Sequence, residues 1–254
     1  MKIEKISNEF QNCRYLTEIK IPPTVKTIEK AAFKDCISLV QISMESSSLT
    51  KIDGRLFEGC IALKNVSLLN TIESIGYKSF MNCSCLIEFT IPSSVTFISD
   101  FAFNGCSSLK KILIPSCVVS LGSCTFSDCI SLEEIKIPES TNSLDLELFK
   151  GCKALKKISI PSSLKYFGLR VFDQCLSLAE IELPTSLTSI PCQTFRGYSS
   201  LKSIKIPESV ELVDDEAFYD CSSLDDVLIL SQKTKVSEIA FEKSKKPKKI
   251  VVQF

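Results

Sequence analysis

The chain has 254 residues, 44% of them hydrophobic and 24% charged, with thirty basic side chains against thirty acidic ones. That is ample apolar material for a core, and no net field exists to draw the molecule toward nucleic acid or an anionic membrane. Histidine and tryptophan are absent, which removes the commonest general base and a frequent metal ligand from any catalytic scheme.

The opening MKIEKISNEFQNC alternates charged and apolar residues. A secretory segment needs an unbroken apolar stretch instead, and nowhere is there a run long enough to span a bilayer. Read from its residues alone, the chain is expected to be soluble and cytoplasmic. Residues 1–20 form a shortened unit carrying Phe10, Cys13, Leu16 and Ile19. Nine units follow over residues 21–228, starting at Ile21, Met44, Leu68, Ile91, Ile114, Ile137, Ile160, Leu183 and Ile206, with a period of 23 residues and one extra residue in the unit at Met44. Residues 229–254 are a degenerate closing unit, with Phe241 in place but Ser244 and Pro247 where cysteine and leucine are due. Every residue belongs to a unit, so a single domain over 1–254 is expected.

The shared pattern is Ile-Pro-x-Ser-Val-x-x-Ile-x-x-x-Ala-Phe-x-Gly-Cys-x-Ser-Leu-x-x-Ile-x. Leu109, Ile112 and Ile114 end in period-two alternation and predict a short strand, which Pro115 stops because proline cannot donate to a ladder. Val95 and Ile98 supply a second inward edge, and Ala102-Phe103 sits on a turn expected to be helical. Nine of the ten residues that precede the cysteine position are Asn, Asp or Gly, types that tolerate a left-handed backbone; Gln174 is the exception. One unit cannot bury its own apolar edge, whereas stacked units bury a continuous core. The expected fold is therefore a repeat solenoid, mainly β with short helical turns, with eleven phenylalanines from Phe10 to Phe241 forming a ladder inside it.

The Leu-x-x-Ile-x-Ile-Pro core within a 23-residue period, preceded by Ala-Phe-x-x-Cys, resembles the leucine-rich repeats of the BspA-like surface-protein family. The resemblance covers the whole chain. It implies a right-handed superhelix with a parallel sheet on its concave side, and a cell-surface adhesin or antigen that binds protein. The alternative function is an intracellular leucine-rich-repeat scaffold for protein–protein interaction.

Nine cysteines stand in one column, from Cys13 to Cys221, with Tyr198 in the ninth place. Parallel stacking holds neighbouring thiols about 4.8 Å apart with parallel Cβ vectors, a poor fit to a disulfide, and a line of ligands does not converge on zinc. The column therefore reads as small, soft filler behind a turn. Cys85, Cys117, Cys124 and Cys192 lie outside it, and Cys117 and Cys124 share one coil, where exposure would suit a redox or cross-linking role. Thirteen cysteines fit a reducing compartment. No nucleophile–base pair, converging carboxylates or phosphate loop can be assigned, so neither catalysis nor any cofactor or metal is expected.

Candidate binding residues lie on the exposed strand face, where Glu88, Lys111, Glu134, Lys157 and Glu180 alternate in sign coil by coil, joined by Glu182 and Lys205. Such a strip either binds a protein partner or neutralises itself and keeps the coils in register. No aromatic side chain occupies these outward positions. On the opposite side Phe97, Phe101 and Tyr166 are candidates for an exposed apolar patch, or for packing between adjacent coils. Lys243, Lys245, Lys246, Lys248 and Lys249 around Pro247 read as protection of the last strand edge, or as a nuclear-import or phosphate-binding cluster. A monomer is expected, with a protein partner and no nucleic acid.

Overall fold

Each repeat forms one coil of a parallel β-solenoid in the computed structural model, which describes residues 3–45, 48–244 and 249–252. The alternating Leu-x-x-Ile-x-Ile segment makes an inner strand in nearly every coil. In Lys111–Leu113 the outer two side chains are exposed and Ile112 is buried. Lys111 lies opposite Glu88 on one side and Glu134 on the other, each one repeat away, so the 23-residue period sets the register. Proline closes the strand and starts a tight turn: the amide of Val118 donates to the Pro115 carbonyl at 3.1 Å, and that of Thr141 to Pro138 at 3.0 Å. A two-residue outer strand follows, such as Phe97–Ile98 or Tyr166–Phe167, paired to its counterpart in a neighbouring coil.

The inner ladder runs in three pieces, from Glu18–Ile21 to Asn65–Ser67, from Glu88–Thr90 to Lys157–Ser159, and from Ser203–Ile206 to Lys249–Val252. Residues 179–183, which carry Glu180 and Glu182, form no strand although their sequence alternates like the others. Nothing in the structure explains this gap, but the next coil is the one with Tyr198 in place of cysteine. The outer ladder breaks three times: between Thr27–Ile28 and Lys51–Ile52, where the repeat carries its extra residue, between Ser120–Leu121 and Ser143–Leu144, and between Tyr166–Phe167 and Ser189–Ile190.

The third side of each coil was expected to be a helical turn and is a string of tight turns. In the coil of Phe103 the amides of Ala102, Asn104 and Cys106 donate within the coil, to Ser99, Phe101 and Phe103. Those of Phe101, Phe103 and Gly105 donate to the next coil, to Ser123, Thr125 and Ser127, at 2.9 to 3.0 Å. A helix would turn every amide back into its own coil; alternation instead leaves every second one free to tie coils together. The geometry needs left-handed residues. All ten residues before the cysteine position have positive φ, including Gln174 at 63°. A second left-handed column lies two residues before each phenylalanine from Phe33 to Phe218, at residues as unlike as Ala31, Arg55 and Phe101. Among the described residues the helical element is one short 3-10 turn, Asn8–Phe10.

The phenylalanine ladder runs from Phe10 to Phe241, neighbouring ring centroids lying 5.0 to 5.8 Å apart at interplanar angles of 4° to 24°. Paired strands stand about 4.8 Å apart. Coils are thus wider apart through the rings than at the strands, which makes the inner-strand face the concave one.

The cysteine column turns out to be more than filler. Each buried thiol donates to the carbonyl of the preceding coil's phenylalanine: Cys106 to Phe80 at 3.2 Å, Cys129 to Phe103 at 3.3 Å, Cys152 to Phe126 at 3.1 Å. In the closing unit Ser244 makes the same bond, to Phe218. Burial pushes these thiols up, Cys36 to about 11 and Cys106 to about 12.

One further regularity spans two coils. Gly59, Gly105, Gly151 and Gly197 all have positive φ, and a Cβ on Gly105 would lie 2.3 Å from Asn82 Oδ1 of the preceding coil. Asp35, Asn82, Asp128 and Gln174 fill the space that these glycines leave, so bulky and bare coils alternate.

Candidate functional site

The concave face is built from the two residues that follow each column leucine and the one between the last two inward residues of the strand. Glu88, Lys111, Glu134, Lys157, Glu180, Glu182 and Lys205 are all exposed. The inner strands place Glu88, Lys111, Glu134 and Lys157 in one straight register. Glu180 and Glu182 sit on the coil without a strand, and Lys205 lies in the third ladder piece beyond that gap. Lys110, Glu133 and Lys156 run beside this line, and with Glu88, Lys111, Glu134 and Lys157 they line a shallow groove of about 350 Å³. Two contacts close into ion pairs, Lys111 to Glu134 at 3.6 Å and Lys156 to Glu133 at 3.2 Å. Every partner is at least half exposed, so the two pairs steer register far more than they stabilise. Leu113 projects from the same face, 67% exposed; one apolar side chain among charges gave no periodic signal in the sequence.

The banding extends further than one column showed. Each bare coil precedes a basic row: Gly59 precedes Lys64, Gly105 precedes Lys110 and Lys111, Gly151 precedes Lys156 and Lys157, and Gly197 precedes Lys202. From Asn82 onward, coils with a bulky residue there precede acidic rows: Asn82 precedes Glu88, Asp128 precedes Glu133 and Glu134, Gln174 precedes Glu180, and Asp220 precedes Asp225 and Asp226, whereas Asp35 precedes the uncharged Val40 and Gln41.

On the outer side Phe97 and Tyr166 are exposed, at 43% and 58%, and stand three coils apart. Phe101 is half-buried and packs edge-on against Tyr77 at 6.0 Å, with the Lys78 ammonium 5.2 Å from both rings. Leu146 and Leu169, at equivalent positions of two adjacent coils, are also exposed.

The off-column thiols are more enclosed than expected. Cys124 is buried, with its thiol toward Glu147 Oε2 and its pKa pushed up to about 11 by burial and then by that carboxylate. Cys117 is half-buried and donates to the Ser93 and Val95 carbonyls at 2.9 and 3.1 Å. The Cys124 thiol, held protonated, is a poor nucleophile and a poor metal ligand. Among the described residues, no group of three or more Cys, Asp or Glu is placed to hold a metal, and no helix is long and apolar enough to cross a membrane. Of the tail lysines, Lys243 lies with its ammonium over the Tyr219 ring at 5.2 Å. Lys245, Lys246 and Lys248 fall outside the described residues, and Lys249 is described only as the start of the last strand.

Comparison with known proteins adds the following. The chain matches the BspA type leucine rich repeat region over residues 4–133 and 119–248. No curated protein matches it significantly. It is similar to a leucine-rich repeat protein of Bacteroides ovatus, with 33% identity and a TM-score of 0.81, over 92% of this chain and 66% of that one. A leucine rich repeat protein of T. pallidum shares 29% identity over 64% of this chain and 78% of its own, with a TM-score of 0.60. The pneumococcal vaccine antigen PcpA shares the fold at 22% identity, covering 90% of this chain and 68% of its own, with a TM-score of 0.57. The chain thus spans somewhat under two thirds of the Bacteroides protein. With one repeat pattern matched along nearly the whole chain, and the coil it encodes found in the structure, the protein belongs to the BspA-type leucine-rich repeat family.

Proposed function

We propose that the chain is a non-catalytic protein-binding module acting at a cell surface as an adhesin or antigen. The observation that carries this reading is the concave strip of exposed charge from Glu88 to Lys157, held in register on a rigid sheet. Membership of the BspA-type family supports the surface address. A strip of this kind selects a partner by complementary charge, favouring fast, salt-sensitive encounter over high affinity. The absence of histidine, and the burial that keeps Cys106 and Cys124 protonated, support the non-catalytic reading.

The test has two parts. Intact cells that express the protein are treated with a membrane-impermeant label, and the full-length protein is expected to carry it while a cytosolic control does not. Beads coated with purified protein are then expected to adhere to host or neighbouring cells, and the doubly substituted Lys111→Glu, Lys157→Glu chain to adhere less. A protein that stays unlabelled despite detectable expression would overturn the surface reading. Adhesion unchanged by the double substitution would remove the strip from it. A second reading, an intracellular scaffold, is favoured by thirteen cysteines whose thiols are free, and it is the reading that an unlabelled protein would select.

A further inference from the structure

The concave face carries a charge pattern that is complementary to itself. From Lys64 to Asp226 eight successive rows alternate in sign: Lys64, then Glu88, then Lys110 with Lys111, Glu133 with Glu134, Lys156 with Lys157, Glu180, Lys202, and Asp225 with Asp226. In seven of the rows every charged side chain is exposed, and in the last Asp226 is exposed and Asp225 half-buried. Rows of like sign recur every second coil, about 10 Å apart. A twofold axis lying in the plane of the face, parallel to the strands, reverses the order of the coils and leaves each residue's place along its strand unchanged. If that axis passes midway between two adjacent rows, every basic row meets an acidic one.

We propose that this face pairs with a second copy of the same chain, about a twofold axis between the Glu134 row and the Lys157 row. At that junction Glu133 and Glu134 face Lys156 and Lys157 of the second copy, and the reverse holds by symmetry. Lys111 faces Glu180, the Glu88 row faces the Lys202 row with the two charges one residue apart along the strand, and Lys64 faces Asp225. No other junction sets so many rows in opposition, because this one lies at the middle of the alternating series. The concavity of each face leaves a gap at the centre, which the long lysine and glutamate side chains are able to span.

The strip is about 40 Å long and a few residues wide, so the area buried per copy is on the order of 400 Å², below that of permanent dimers. Each row is also partly neutralised by its own neighbours, as Lys111 and Glu134 already are. The pairing is therefore weak and reversible, and the chain reverts to a monomer when the face is screened. Charge alone holds it, so it weakens as the Debye length falls from about 30 Å at 0.01 M salt to about 3 Å at 1 M.

This inference does not depend on the surface reading, and its test needs only purified protein. Sedimentation velocity over a concentration series is expected to show a monomer–dimer equilibrium at low salt and monomer alone at molar salt. Two variants separate charge pairing from other association. Lys156→Glu with Lys157→Glu, and Glu133→Lys with Glu134→Lys, each place like charges across the proposed axis. Each alone is expected to dimerise at least about tenfold more weakly than the parent, whereas an equimolar mixture of the two recovers the parent's affinity. Unchanged circular dichroism and thermal midpoint serve as the control for folding. A parent chain that is monomeric at every salt concentration, association that survives molar salt, or a mixture no tighter than its components would each overturn the proposal.

Discussion

Replacing Phe126 by alanine tests the stacked interior directly. Its ring is fully buried and lies between Phe103 at 5.8 Å and Phe149 at 5.7 Å, nearly parallel to both. Removing it deletes a buried aromatic and leaves a cavity walled by two rings that are fixed by their own coils, so little collapse is available. The expected loss is about 3 to 5 kcal/mol. Phe241 has one stacking neighbour, Phe218 at 5.0 Å, and is only partly buried. The same substitution there should cost about half as much, roughly 2 kcal/mol. Stability in a repeat array passes through nearest-neighbour contacts, so the central defect should also uncouple the two halves. Urea denaturation gives the free energies, and hydrogen exchange shows whether amides of the coils around Phe126 lose protection before those near either end. Equal losses at the two positions, or an unchanged midpoint for Phe126→Ala, would refute the idea that a continuous ring stack supports the fold.

Cys129→Ser should be tolerated within about 1 kcal/mol because Ser244 makes the same bond naturally, while Cys129→Ala should lose roughly that amount; thermal unfolding of the two variants decides. Stability should fall as pH rises above 9. The buried thiols keep their protons in the folded chain up to about 11 for Cys36 and about 12 for Cys106, whereas the unfolded chain releases them near 9. Below 9 their contribution is complete, and each is lost between 9 and the folded value, so urea titrations of Cys106→Ser should show a shallower alkaline decline than the parent. Gly105→Ala should cost more than the roughly 1 kcal/mol of left-handed strain, because its Cβ would strike Asn82; combined with Asn82→Gly, part of the loss should return as a coupling energy of about 1 kcal/mol in a double-mutant cycle.

The period, the strand register and the ring ladder were legible in the sequence because each is written in apolar spacing, which burial enforces. The turns were misread for a physical reason. Ala31, Arg55 and Phe101 have no shared chemistry, and their left-handed backbone is imposed by amides that bond to the next coil, a partner that local propensity cannot see. The thiol–carbonyl bonds were hidden similarly, since Cys106 and Phe80 are 26 residues apart and only stacking brings them together. For the concave strip, single-residue columns exposed the alternation from Glu88 to Glu180, but its link to the glycines appears only when two repeats are read as one. Phe101 packs against Tyr77 of the preceding coil, a contact 24 residues away in sequence that only stacking makes.

The alternation of bare and bulky coils gives the array a parity. Excising residues 103–125 would remove one coil and leave the 23-residue spacing intact, yet it would press the Asn82 side chain against Asp128 and set Glu88 beside Glu133 and Glu134. Excising residues 103–148 removes twice as much and seats Asn82 on Gly151, with Glu88 beside Lys156 and Lys157. The larger deletion should therefore be the milder one. An odd change in length breaks two matching rules at once, an even change breaks neither, and the unit that can be copied or lost without repair is 46 residues, twice the 23 that the apolar pattern announces.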